Sequence, residues 1–377
     1  MHLGRFHMAI ALLNSEYHRI RPDSLLTDVI GALNTVAANP GNADFGTNFK
    51  TALEICRESL SNSPLNTPRP ILRSLIESIG ADQYIGDQFF ARIKSGIELN
   101  AGAPALAVQA LTILQKESQK FFKVINNIDT SFTELTIEYD ELGEGEAEIG
   151  LLIPRIETSS TLQDLAKEFK EWHNALTPIV EVFDRNAPPL QIRTCSTTDW
   201  MLYLIATPAI LEGVSHCLKK VNEILREALE MRSLLEQIAR RSSSDAIAQL
   251  EEENKNKIQT DLRKLAEEVV DERLKVHDQA DKNDLKNRLA FSLQTIAFKV
   301  TAGTKVEVRL IPPSLEPVVD AEGTEGQPTA PSPEQEHLAE LALTLDQEVS
   351  LLAFDNDSDA LRAMLPAPVL EAEKSEQ

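Results

Sequence analysis

TPAILEGVSHCLKKVNEILREALEMRSLLEQIARR, residues 207–241, is the stretch from which the fold of this chain can be worked out. Thr207 is a good N-cap residue. Pro208 suits the first helical position, where its missing N–H removes no hydrogen bond, so a helix should begin there. Apolar residues then recur at alternating steps of four and three, which is a heptad pattern. These residues are Ile210, Val214, Cys217, Val221, Ile224, Ala228, Met231, Leu235 and Ile238.

The two halves of this helix differ in the width of their apolar stripe. Three leucines widen the stripe in the first half, and Arg232 occupies the next equivalent position. A broad stripe favours burial on a globular body, whereas a narrow seam favours a single partner helix. We therefore predict that the second half mediates self-association or pairing. The predicted contact residues are Val221, Ile224, Met231, Leu235 and Ile238.

A second helix of similar length is predicted over about 246–277, after the polar run Ser242–Asp245. Two arms of similar length around a short polar turn predict an antiparallel helical hairpin over about 208–277. One continuous helix is the alternative. The sequence also leaves open whether the arms pair with each other or with another chain.

The flanking regions predict a predominantly α-helical α+β fold. Residues 1–130 contain helical apolar periodicity interrupted by Pro and Gly, which predicts an N-terminal helical bundle. Residues 131–313 predict an α+β domain, in which alternating residues at 135–139 and 149–153 indicate a β-hairpin. Two further strands are predicted over 190–195 and 200–206, with a last strand near 306–310 that returns to the small sheet.

The C-terminal region, residues 314–377, has the composition of a disordered, acidic tail, with a net charge of −13 of the −22 for the whole chain. Within this tail, Ser332 and Gln335 form a capping box with Pro333 between them, which predicts an amphipathic helix over about 333–354. Its stripe predicts a docking element for a partner. The stripe comprises Leu338, Leu341, Leu345, Val349 and Leu352.

Charge and cysteine content narrow the classes of ligand and compartment. The remaining 313 residues carry a net charge of −9, so the chain lacks the basic face that nucleic-acid binding requires. Three scattered cysteines predict neither a disulfide framework nor a metal site and fit a reducing cytoplasm. Trp200–Leu211 is too short for a membrane span and is interpreted as a buried strand entering a helix.

Motifs for common enzyme chemistry are absent from the sequence. It contains no GxxxxGK[ST], GxGxxG, GxSxG or HExxH motif, so no cofactor is expected. Asp355, Asp357 and Asp359 resemble the start of a calcium loop, but Ala360 replaces the required glycine and Pro366 the bidentate glutamate. An acidic run at 140–148 is interpreted as a charged strand edge rather than a metal site. His2, His7 and His18 do not have ligand spacing and are expected to be exposed or capping residues.

These observations favour a cytoplasmic, non-enzymatic interaction or scaffold protein that self-associates or pairs through the heptad helix and docks a partner through its tail helix. The alternative is an enzyme or small-ligand-binding domain in residues 131–311. Its candidate residues are Cys195, Asp199 and Glu138. A weaker alternative, which no particular residue supports, is an accessory subunit of a bacterial stress or phage-defence complex.

Overall fold

A computed structural model describes residues 3–154, 161–196, 200–239, 244–274, 279–313, 332–347, 362 and 365. The chain divides into two compact units, Met1–Glu141 and Leu142–Gln377. The sequence placed this boundary at 130/131, but the helix that contains those residues continues to Glu134.

The first unit is built from six α-helices with two 3-10 turns among its described residues. The helices are α1 Leu3–Ile20, α2 Pro22–Ala38, α3 Ala43–Ser61, α4 Pro70–Ser78, α5 Gly86–Glu98 and α6 Pro104–Glu134, and the turns are Pro64–Asn66 and Asp82–Tyr84. Three of these helices begin with a proline, a position at which proline loses no helical hydrogen bond. Two apolar clusters form the core of the unit, one around Leu111 and Phe89 and the other around Ile10 and Phe122.

The second unit combines helices with a small antiparallel sheet. Its elements are β1 Ala147–Leu152, α7 Leu162–Phe183, β2 Gln191–Ser196, β3 Met201–Ala206, α8 Pro208–Ala239, α9 Ser244–Arg273, α10 Gln279–Thr301, β4 Lys305–Leu310 and α11 Pro333–Gln347. The strands lie in the order β2-β3-β1-β4, and every neighbouring pair is antiparallel. The predicted fold class, mainly helical with a small sheet, is therefore confirmed.

One face of this sheet forms the base of the core. Ile149 lies opposite Leu204 on one side and Val308 on the other, so alternate residues of three strands face the same way. These side chains belong to one cluster with buried residues of α7, α8, α9 and α10. The strand near 306–310 returns to the sheet as predicted, since β4 pairs with β1.

The predicted strand at 135–139 is wrong, because α6 extends through Glu134 and β1 pairs with β3 and β4. A Schellman motif ends α6: the N–H of Ile137 donates to the Phe132 carbonyl at 3.0 Å, and the N–H of Thr136 donates to the Thr133 carbonyl at 3.0 Å. Thr136 adopts φ +55° at the position where glycine is usual. Because threonine stands there, the sequence carried no sign of this helix end.

The long helices α8 and α9 pack against each other as an antiparallel hairpin within the chain. Lys257 Nζ lies 3.2 Å from Glu227 Oε2, and Arg273 is paired with Glu212, so residue numbers rise along one helix as they fall along the other. The alternative of a single continuous helix is therefore wrong.

Candidate interaction surfaces

The heptad residues of α8 lie in two different environments. Val221 is fully buried in the core of the second unit, and Ile224 packs against that core while partly exposed. Met231 is 41% exposed, although it occupies a seam position. Leu235 is buried, and the side chain of Ile238 lies outside the described residues. The first part of the predicted contact surface is thus occupied by the chain's own core, and accessible apolar surface begins at Met231.

Beyond Ala228 on α8 and before Ile258 on α9, the hairpin continues past the core cluster. We call residues 229–239 and 244–257 the arm, which extends for about 15–20 Å at 1.5 Å per residue. Among its described side chains, only Leu235 and Asn254 are buried. The Asn254 amide donates to the Ala228 carbonyl at 3.2 Å at the base of the arm.

The helices of the arm differ in composition where they face each other. The heptad pattern of α8 continues through the arm, whereas α9 has the polar stretch Glu251–Asn256 opposite it. A polar helix cannot bury an apolar seam, which explains why Met231 remains exposed. Leu234 and Leu250 are also exposed, at 55% and 38%.

The tail helix α11 packs against β4 and α8 of its own unit. Ala342 and Leu345 are buried in the core cluster, and Leu338 and Leu341 pack partly buried against it. Leu343, on another side of the helix, is 64% exposed. Val349 and Leu352, which complete the predicted stripe, lie outside the described residues, as does the predicted end of the helix at 354.

The predicted capping box of α11 is confirmed. The N–H of Gln335 donates to Ser332 Oγ at 3.2 Å, and the N–H of Ser332 donates to Gln335 Oε1 at 2.9 Å. Two N–H groups that the first turn leaves unpaired are satisfied in this way. The cap starts the helix at a defined residue and so fixes which side chains face the core.

A charged cluster on the opposite face of the sheet was missed by sequence reasoning. Glu148, 1% exposed, lies 3.2 Å from Arg309 Nη1 on β4 and 3.5 Å from Arg193 Nη1 on β2. Arg193 lies at a register shift between Ile192 and Thr194. Glu148 was interpreted as part of a solvated edge, and that is wrong: the register of β1 buries it. Strand pairing is what brings both arginines to it, and pairing cannot be read from one segment.

His7 is also buried, contrary to the expectation of exposed or capping histidines. Its Nδ1 lies 2.7 Å from the Ile137 carbonyl and its Nε2 lies 3.4 Å from Asp129 Oδ1. The imidazole packs at 4.4 Å between ring centroids against Tyr139. Because these contacts join α1 to the end of α6 and the segment after it, His7 has a structural role. His18 is exposed, and His2 lies outside the described residues.

The candidate residues of the enzyme alternative are distributed over both units. Glu138 lies in the first unit and Cys195 in the second, while Asp199 is outside the described residues. Cys195 is exposed on β2, and desolvation raises the pKa of its thiol. A raised pKa lowers the fraction of reactive thiolate at neutral pH. Burial raises the pKa of Cys56 to about 11 and that of Cys217 to about 12.

Within the described ranges, no group of three or more His, Cys, Asp or Glu side chains is arranged to hold a metal ion. The residues of the incomplete calcium loop, 355–360, are outside those ranges. Likewise, no described helix combines the length and apolar character that crossing a membrane requires.

A scan against models of protein families, a search of curated proteins and a search of solved structures found no match for this chain.

Proposed function

We propose that this chain is a non-enzymatic interaction protein whose tail helix is a docking segment, held on its own second unit until a partner competes for it. The observation that supports this proposal best is the placement of α11. A capped amphipathic helix buries Leu345 and Ala342 against the body, and residues 314–331 connect it to the last strand.

The size of this contact suits exchange rather than permanent attachment. Complete burial of Leu345, with partial burial of Leu338 and Leu341, contributes a gross stabilisation of about 3 to 5 kcal/mol. Ordering the helix and its connection subtracts from that value. A 15-residue helix is also marginally stable by itself, so it needs a surface on which to fold.

Peptide competition tests the exchange. A labelled peptide of residues 332–354 should bind the chain shortened to 1–313. Its affinity for the full-length chain should be lower by a factor of about ten or more, because the tethered helix competes at a millimolar effective concentration. Fluorescence anisotropy measures both affinities. A Leu345→Asp peptide should lose binding, while Leu343→Asp, which alters the exposed side, should retain it. If the peptide bound both chains with equal affinity, and circular dichroism showed that both were folded, α11 would not occupy the peptide's binding site in the full-length chain.

The partner itself is sought with full-length and 1–313 chains as baits in lysate of the source organism. A protein captured by the full-length chain, lost on truncation and lost again with full-length Leu345→Asp would support the docking role. Capture that persists with both altered chains would assign binding to the remaining surfaces instead.

The heptad helix gives the proposal its second element. Its core-facing half, through Ala228, is used to build the second unit, so the proposed pairing surface is confined to the arm. Of the two roles that the seam predicts, self-association or pairing, we therefore propose pairing with a partner helix, and only for the residues from Met231 onwards.

A further inference from the structure

The exposed apolar residues of the arm lie together on one side of it. The Glu227–Lys257 ion pair marks that side, since it joins α8 to α9 across their contact. Met231 lies four residues after Glu227 on α8, and Glu253 lies four residues before Lys257 on α9, so Met231 and Glu253 are level. Leu234 and Leu250 lie seven residues from the same pair in the same directions and are also level. Steps of four and seven return to the same helical face.

These residues form what we call the arm patch: Met231, Leu234 and Leu250 with Glu253 among them. All four are exposed, and Glu230 is exposed beside them on α8. Among the described residues, no ion pair or hydrogen bond involves the side-chain carboxylate of Glu253. An apolar surface interrupted and bordered by carboxylates is thus presented on two parallel ridges, and a third helix fits between two such ridges.

We propose that the arm patch binds an amphipathic helix of a partner protein that carries basic residues beside its apolar stripe. The inference rests on the proposed interaction function and names the chemistry of the partner. Apolar side chains of the incoming helix cover Met231, Leu234 and Leu250, and a lysine or arginine meets Glu253 and Glu230. The arrangement is a helix-in-groove contact, in which anchors at i, i+3 and i+7 determine affinity and the flanking charges determine specificity.

The charges also discriminate against a second copy of this chain as the occupant. In a two-fold dimer built on the patch, the same surface meets itself, so Glu253 and Glu230 of each copy approach those of the other. Like charges brought together in an interface oppose association. The exposed apolar area is small as well, about 250 Å² per chain from the exposed fractions of the three side chains, whereas a stable complex buries about 800 Å² per partner. The same shortfall applies to a partner helix, so its flanking basic residues must add contacts with Glu253, Glu230 and the surface around the patch.

The test uses the full-length chain and two synthetic helical peptides of about 18 residues, or five turns. The peptides share one leucine stripe; one carries lysine on its flanks and the other glutamate. Anisotropy should give an affinity at least about tenfold higher for the lysine peptide. Leu234→Gln should weaken that binding about tenfold, whereas Leu162→Gln, at an 82% exposed leucine on α7, should leave it unchanged.

A charge reversal separates site-specific binding from general attraction to an acidic protein. Glu253→Lys should weaken the binding of the lysine peptide and strengthen the binding of the glutamate peptide. Glu267→Lys on the same helix makes an equal change in net charge at an exposed position outside the patch and should do neither. Equal effects of the two reversals would overturn the proposal, because binding would then depend on net charge alone.

Two further outcomes would also overturn it. If neither peptide binds and sedimentation reveals a concentration-dependent dimer that Leu234→Gln abolishes, the patch takes a second copy. If neither peptide binds and the chain stays monomeric, the patch is not a docking surface. The tail-peptide competition uses other residues, so either failure leaves the docking role of α11 to be judged on its own result.

Discussion

Gly213 allows α8 to approach the end of α7 more closely than any other residue would permit. A Cβ atom built on Gly213 would lie 2.5 Å from two ring carbons of Phe183, and the guanidinium of Arg273 lies 4.8 Å from the centroid of that ring. The ring of Phe183 therefore lies against both α8 and α9. The requirement for glycine arises from packing rather than from backbone conformation.

We predict that Gly213→Ala lowers the free energy of unfolding by up to about 2 kcal/mol, because overpacking costs about 1–3 kcal/mol and alanine returns about 1 kcal/mol through its higher helix propensity. Gly31→Ala in α2 is the matched change, because nothing lies within 4 Å of a Cβ there, and it should stabilise. Urea unfolding followed by circular dichroism measures both. A stabilising Gly213→Ala would mean that Phe183 can give way.

Among the elements, the described part of the α8–α9 hairpin has a buried polar residue where the two helices meet. Asn254, 5% exposed, faces Ala228 at the point where the core cluster gives way to the arm. A buried amide costs free energy that its hydrogen bonds only partly return, and such a residue commonly fixes the register of paired helices.

We predict that Asn254→Leu raises the free energy of unfolding by about 1 kcal/mol, because an apolar side chain of similar size replaces the buried amide. Asn254→Asp should lower it by about 2 kcal/mol or more, since it buries a charge. The control Asn256→Leu, at an exposed position, should stay within about 0.5 kcal/mol. A destabilising Asn254→Leu, measured by the same urea unfolding, would show that the amide's hydrogen bonds outweigh its desolvation.

The hairpin also illustrates what the sequence could predict. Helix positions followed from local patterns: Pro208 starts α8 as expected, and the capping box places the start of α11. Exposure did not follow, because Met231 has the same heptad position as the fully buried Cys217 and differs from it in what α9 places opposite it. Similarly, the alternation of apolar residues at 135–139 imitated a strand, although Leu135 and Thr136 belong to the Schellman motif that ends α6. The Glu148 cluster depends on strand pairing across more than 150 residues of chain, for which one sequence contains no signal.

For the whole molecule, each compact unit contains its own apolar clusters. The clusters around Leu111 and Ile10 lie within Met1–Glu141, and the large cluster around Ile149 lies within Leu142–Gln377. A unit with its own core has the main requirement for folding alone.

We therefore predict that fragments 1–141 and 142–377, produced separately, each unfold in a cooperative thermal transition. Fragment 1–120 is the control: it cuts α6 ahead of Phe122 and Ile125, which are buried in the second cluster, and should lack a cooperative transition. Differential scanning calorimetry distinguishes these outcomes. A broad, non-cooperative melt of 1–141 would mean that this unit needs the rest of the chain.

The strand order has a consequence for the order of events during synthesis. β1 is a central strand, yet one of its two neighbours, β4, follows it by about 150 residues that include the whole hairpin. At about 5–20 residues per second, the ribosome needs roughly 10 to 30 s to deliver β4 after β1 has emerged. For that interval β1 has an open backbone edge and the buried carboxylate of Glu148 lacks Arg309. The nascent chain must therefore wait for its last strand, and this is the period in which a chaperone would matter most.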